Sequence, residues 1–65
     1  MIKVNGEEHP WHQGLSITGL LKEKNYVFPM IIVQINGTHV PEEKYPTAMV
    51  DDGDDVAVIH LLTGG

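Results

Sequence analysis

Gly64-Gly65 closes this sequence, directly after an apolar run, Val56–Leu62, that reads as a buried strand. A strand ending on two residues without side chains carries a bare α-carboxylate past the edge of the fold. Glycine lets backbone approach a ligand closely, so such a tail fits a slot too narrow for any Cβ. The carboxylate itself is then the reactive group. Gly65 is the candidate for covalent modification, with Gly64 and Thr63 as the tail that delivers it.

The other residues that could carry chemistry are weaker. His9 and His12 invite a metal, but three positions apart on an extended strand they point to opposite faces and read as solvated surface. His60 sits near the tail and reads as a packing or surface histidine. Trp11 reads as a cover for a helix edge. The acidic run Asp51–Asp55 lacks the spaced ligands and distal glutamate of a calcium loop and reads as a solvated turn. There is no Ser-His-Asp constellation in a credible order and no glycine-rich phosphate loop. No metal site is expected.

Composition narrows the classes further. Sixty-five residues make one small domain, with little room for a deep catalytic cleft of its own. The absence of cysteine excludes disulfides, thiolate metal sites and a cysteine nucleophile. Nine acids against four lysines give a net charge of −5. That balance opposes nucleic-acid binding and suits a partner with a basic docking surface. No run reaches the length of a membrane span and no signal peptide is evident, so the expected location is the cytoplasm.

Local patterns define the elements that must position the tail. Ile2 and Val4 alternate with polar residues, and Asn5-Gly6 is a hairpin turn signal. The return strand is expected from Glu7 to about His12, at an edge because Pro10 cannot donate to a ladder. Ser16 is a helix N-cap, and Ile17, Leu20 and Leu21 form the apolar stripe of a helix over residues 17–24. Asn25 stops that helix in a left-handed conformation. Met30–Ile35 is a β-branched strand, turned by Asn36-Gly37 into Thr38–Val40. Pro41–Pro46 reads as a loop or one short helical turn, and the last strand runs from Val56 to Leu62. The order implies an α+β fold, a mixed sheet of four to five strands with one helix across one face. With the first and last strands side by side at the centre, this is the ubiquitin-like β-grasp arrangement. The domain is expected over residues 1–62, with a flexible tail at 63–65.

Along the whole chain the sequence resembles the thiamin-biosynthesis sulfur carriers of the ThiS family. The resemblance rests on Asn5-Gly6, Ser16-Ile-Thr-Gly-Leu-Leu21, Val33-Gln-Ile-Asn-Gly37 leading to Val40-Pro41, Val50-Asp-Asp-Gly-Asp54, and Gly64-Gly65. A basic residue often follows the Val-Pro pair in such proteins; here it is Glu42. The resemblance implies a carrier rather than an enzyme, with no bound cofactor. An adenylyltransferase of the ubiquitin-activating type (ThiF-like) spends ATP to adenylate Gly65. A sulfur donor protein then displaces AMP to leave a thiocarboxylate. A ThiG-like thiazole synthase accepts that sulfur.

Alternation on the last strand sends Val56 and Val58 to the helix face with Ile2, Val4, Val33 and Ile35. Ala57, Ile59 and Leu61 then lie on the opposite face, where no second helix is expected, and Ile32 extends them if it shares that face. An uncovered apolar strip beside a reactive tail reads as a docking patch for a partner. Two alternatives accompany the carrier reading. One is the small subunit of molybdopterin synthase, usually longer between helix and last strand. The other is a non-reactive binding module of the TGS-like type, which shares the Asp-Gly-Asp turn but usually sits inside longer chains and needs no terminal Gly-Gly.

Overall fold

The computed structural model describes residues 1–26 and 30–61. Strands β1 (Ile2–Val4) and β2 (Glu7–His9) precede helix α1 (Ile17–Glu23); β3 (Ile31–Ile35), β4 (Thr38–Val40), a 3-10 turn (Glu42–Lys44) and β5 (Asp55–His60) follow. The strands form one five-stranded sheet in the order β2-β1-β5-β3-β4. β5 is central, parallel to β1 and antiparallel to β3. The fold class and the adjacency of first and last strands are as the sequence implies.

Both hairpin turns follow from asparagine and glycine accepting positive φ. Asn5 and Gly6 stand at φ 53° and 82°, and Asn36 and Gly37 at 50° and 83°, the mirror-image turn that matches strand twist. Each asparagine also does a second job with its side chain. The Asn5 Oδ1 accepts the Val58 N–H at 2.7 Å. The Asn36 amide accepts from the Asp55 N–H at 2.9 Å and donates to the Asp54 carboxylate at 3.0 Å.

Helix α1 starts at Ser16, whose Oγ accepts the Gly19 N–H at 3.0 Å. It ends before Asn25, which takes φ 59° and stops the helix in the left-handed region. Ile17 and Leu20 are fully buried, and Leu21 packs at the margin. Leu15 is fully buried too, in the position before the cap that pairs with the fourth helical position, here Leu20. The segment 45–50 straps this helix start: Tyr45 O accepts from Thr18 N at 3.1 Å, Ala48 O from Ile17 N at 2.9 Å, and Leu15 O from Val50 N at 2.8 Å. The Trp11 indole closes the strap by donating to Val50 O at 2.7 Å. Burial, and then the nearby Glu42 charge, push the Tyr45 phenol above its ordinary value, so the ring stays neutral in the core.

The core lies between α1 and one face of the sheet: Ile2, Val4, Leu15, Ile17, Leu20, Val33, Val40, Tyr45, Val50, Val56 and Val58 are buried. Ile35 packs against its margin. Gly19 is a weak point in this helix that a methyl group can repair. A Cβ there would meet only Ser16 Oγ at 3.4 Å and Leu15 Cδ1 at 3.7 Å, so Gly19→Ala is expected to stabilise the fold by about 0.5–1 kcal/mol. Thermal unfolding should show a midpoint raised by roughly 2–8 °C for a domain of this size.

β2 is shorter than the sequence suggests. It ends at His9, because Pro10 cannot extend the ladder and the chain turns toward the helix. The consequence for His9 and His12 is a correction. They do not point apart from one strand: both imidazoles reach the Glu23 carboxylate, with Nε2 at 2.9 Å and 2.7 Å from its two oxygens.

Candidate functional site

β5 carries two faces into the C-terminal segment. Val56 and Val58 are buried beneath α1. Ile59 is 44% exposed and Leu61 43% exposed on the opposite face, and Ala57 is half-buried there. The antiparallel register sets Ile32 directly across from Ile59, and Gln34 across from Ala57. Ile32 therefore shares the outer face, half-buried beside Ile59.

The strip has one more member than alternation on β5 reveals. Met30, 48% exposed, is held to β5 by the Leu61 N–H donating to its carbonyl at 3.1 Å. Its parity with Ile32 and Gln34 along the β3 segment is the signal that adds it. Met30, Ile32, Ile59 and Leu61 thus form an apolar end of the outer face, at the end of β5 that leads into the C-terminal segment. Toward the other end of β5 the outer face turns polar: Gln34 and His39 are neighbours across β3 and β4, and Lys3 and Asp55 across β1 and β5. The one helix of the described residues lies on the other face of the sheet.

Gly65, Gly64 and Thr63, together with the boundary drawn at residues 62 and 63, lie outside the described residues. His60 lies on the helix side of β5, where its ring meets the edge of Tyr26 at 5.6 Å between centroids, with planes 86° apart. Trp11 covers the strap at the helix start as described above. Among the described residues no group of three or more His, Cys, Asp or Glu is set to hold a metal ion, and no helix is long and apolar enough to cross a membrane.

The mixed sheet with the last strand at its centre beside the first, one helix across a single face and an exposed apolar strip on the other define a ubiquitin-like β-grasp protein. The sequence profile of the ThiS family matches residues 2–65. This chain belongs to the ThiS family.

Relatives agree at the level of fold and sequence. The crystal structure of a thiamine biosynthesis protein (ThiS) from Geobacter metallireducens superposes with a TM-score of 0.81 at 27% identity, covering 98% of this chain and 97% of that one. The ycf40 protein of Porphyra purpurea is 31% identical over 64 residues, which is 98% of this chain and 90% of that protein. Thiazole synthases of Paramagnetospirillum magneticum and Magnetococcus marinus are 29% and 28% identical, over 95% and 98% of this chain. This chain spans only 19% and 20% of their lengths.

Proposed function

We propose that this protein is a sulfur carrier for assembly of the thiamin thiazole ring, with sulfur held as a thiocarboxylate on Gly65. The observation that supports it best is the family match, which runs through Gly64 and Gly65 at residues 2–65. A free carboxylate is a poor electrophile. Transfer of AMP from ATP onto the Gly65 carboxylate, with release of pyrophosphate, installs a good leaving group. Sulfide-level sulfur from a donor protein then attacks the carbonyl carbon, forming the C–S bond as the C–O bond to AMP breaks; a donor holding the sulfur as a persulfide needs a thiol reductant to free the thiocarboxylate. The product is a nucleophile that needs no cysteine, and this chain has none. Splitting one hard transfer into two activated steps is the usual gain of covalent catalysis.

In this reading the chain is a protein co-substrate. Acids, bases and the ATP site belong to an adenylyltransferase of the ubiquitin-activating type, and the cytoplasm is where the partners meet. The strip of Met30, Ile32, Ala57, Ile59 and Leu61 seats the partner, and the tail beyond it enters the active site. The net charge of −5 favours a partner with a basic surround. Likeness to thiazole synthases over nearly the whole of this chain supports thiazole synthase as the acceptor.

Intact mass tests the reading. After incubation with ATP, a sulfur donor and the activating enzyme encoded nearest to it, the protein is expected to gain the mass of one oxygen exchanged for sulfur. Deletion of Gly65 should abolish the gain. An unchanged mass with no AMP released, from an enzyme active on another carrier, would overturn it.

A further inference from the structure

β2 buries no apolar side chain: Glu7 and Glu8 are exposed and His9 is half-buried. Its ladder to β1 is three residue pairs long. What joins this edge to the helix is polar. Register places Glu7 opposite Val4 and His9 opposite Ile2, so both lie on the helix side of the sheet. Each meets α1 or its cap there. The His9 Nε2 lies 2.9 Å from Glu23 Oε1, and Glu7 Oε1 lies 3.8 Å from the Lys24 ammonium. The loop after β2 then returns His12, whose Nε2 lies 2.7 Å from Glu23 Oε2. One carboxylate thus receives an imidazole on each oxygen, from two successive parts of the chain.

We infer that the His9–Glu23–His12 cluster is a pH-operated clamp that fastens the β2 edge and its following loop to the last turn of α1. Each neutral imidazole can donate one N–H to a carboxylate oxygen. That bond is already assisted by the Glu23 charge, and protonation of the imidazole turns it into an ion pair at 2.7–2.9 Å. The clamp is then tightest when Glu23 is ionised and His12 is protonated.

The direction of the shifts sets the window. The bond to Glu23, then the His12 ring's contact with Gln13 O, raises His12 above its ordinary 6.5. Its contribution is therefore complete below pH 6.5 and is lost as pH rises through the raised value. The bonds from His12 and then His9 lower Glu23 below its ordinary 4.5. Its contribution is complete above pH 4.5 and is lost as pH falls through the lowered value. The clamp is closed between those limits. The surrounding charges do not duplicate it. On the helix side, β2 offers Glu7, which faces Lys24; α1 adds Lys22, exposed. Glu8 lies on the outer face opposite Lys3, and β1 presents only Ile2 and Val4 to this side.

NMR titration of the imidazole ring protons in the full chain tests the clamp. The His12 midpoint is expected above 6.5, and Glu23→Gln, which keeps size and hydrogen-bonding capacity, should lower it toward the ordinary value, leaving only the smaller effect of the Gln13 carbonyl. Thermal midpoints read in parallel should show wild type gaining over Glu23→Gln as pH falls from 8 to 6, and the gap closing as pH falls below 4.5 through the lowered Glu23 value. A His12 midpoint unchanged by Glu23→Gln would overturn the inference. Parallel stability profiles for the two proteins across that range would overturn it as well. Neither readout involves the tail, so the outcome is independent of the carrier reading.

Discussion

Ile59→Asp is expected to reduce thiocarboxylate formation by about tenfold or more while leaving the protein folded, because one well-placed apolar contact at the centre of an interface carries on the order of 1–2 kcal/mol or more of binding. Ile59 is 44% exposed, faces away from α1 and sits across from Ile32. Truncating it opens no core cavity. Aspartate is a poor strand residue, and the measured strand scale spans about 1 kcal/mol, so the thermal midpoint should fall by no more than roughly 8 °C. A partner docked on the strip would instead have to bury an uncompensated carboxylate, which costs far more than losing the isoleucine contacts. The readout is the initial rate of AMP release by the activating enzyme at subsaturating carrier. Gln13→Asp, at an exposed position on the loop after β2, is the matched control and should leave that rate unchanged. Equal rates for Ile59→Asp and wild type would remove the outer face of β5 from the proposed interface. A fall of the rate in Ile59→Asp together with loss of the folded state would call for Ile59→Ser, whose polarity is milder and whose rate should still fall.

The architecture was legible because its local signals agree with one another. Both Asn-Gly pairs take positive φ, Ser16 caps the helix through Gly19, and Asn25 ends it. Period-two alternation on Val56–His60 separated the two faces of β5 correctly, whereas the register with β3, which alternation on one strand does not give, is what sets Ile32 beside Ile59. What was not legible depends on tertiary contacts between segments of different period. Leu15 and Tyr45 are buried although neither lies in an element with an apolar repeat; they are covered because segment 45–50 folds back over the helix start through backbone bonds. The helix-cap staple position was the available clue for Leu15. The joint approach of His9 and His12 to Glu23 was hidden because strand geometry was extended through Pro10, where the ladder in fact stops.

Asn5→Ala is expected to be among the most destabilising single changes outside the apolar core, and three substitutions at this one position separate its causes. β1 runs parallel to β5 and turns away after Val4, so it supplies no further carbonyl along β5. The Asn5 side chain takes over, accepting the Val58 N–H at 2.7 Å in a partly buried setting, while its own backbone N–H donates to Val56 O at 2.9 Å. Alanine loses the acceptor and leaves the Val58 donor unmatched, at about 1–3 kcal/mol. It must also hold φ 53°, where an ordinary L-residue carries roughly 1 kcal/mol or more of strain that asparagine largely avoids. The sum is on the order of 2–4 kcal/mol, against a total stability of roughly 3–10 kcal/mol for a domain of this length. Glycine removes the strain and not the loss of the acceptor, and aspartate keeps both the acceptor and a tolerance of the left-handed region. Thermal midpoints should therefore fall in the order wild type and Asn5→Asp highest, Asn5→Gly lower, Asn5→Ala lowest. Amide exchange at Val58 should accelerate in the glycine and alanine proteins and not in the aspartate one. If glycine restored the wild-type midpoint, backbone strain alone would explain the position. Were alanine and glycine equally harmful, the hydrogen bond alone would explain it. In either case the residue lies at the point where β5 leaves its parallel partner and continues toward Ile59, so the stiffness of the segment that carries the outer strip depends on an asparagine that the turn signal alone would have assigned only to the hairpin.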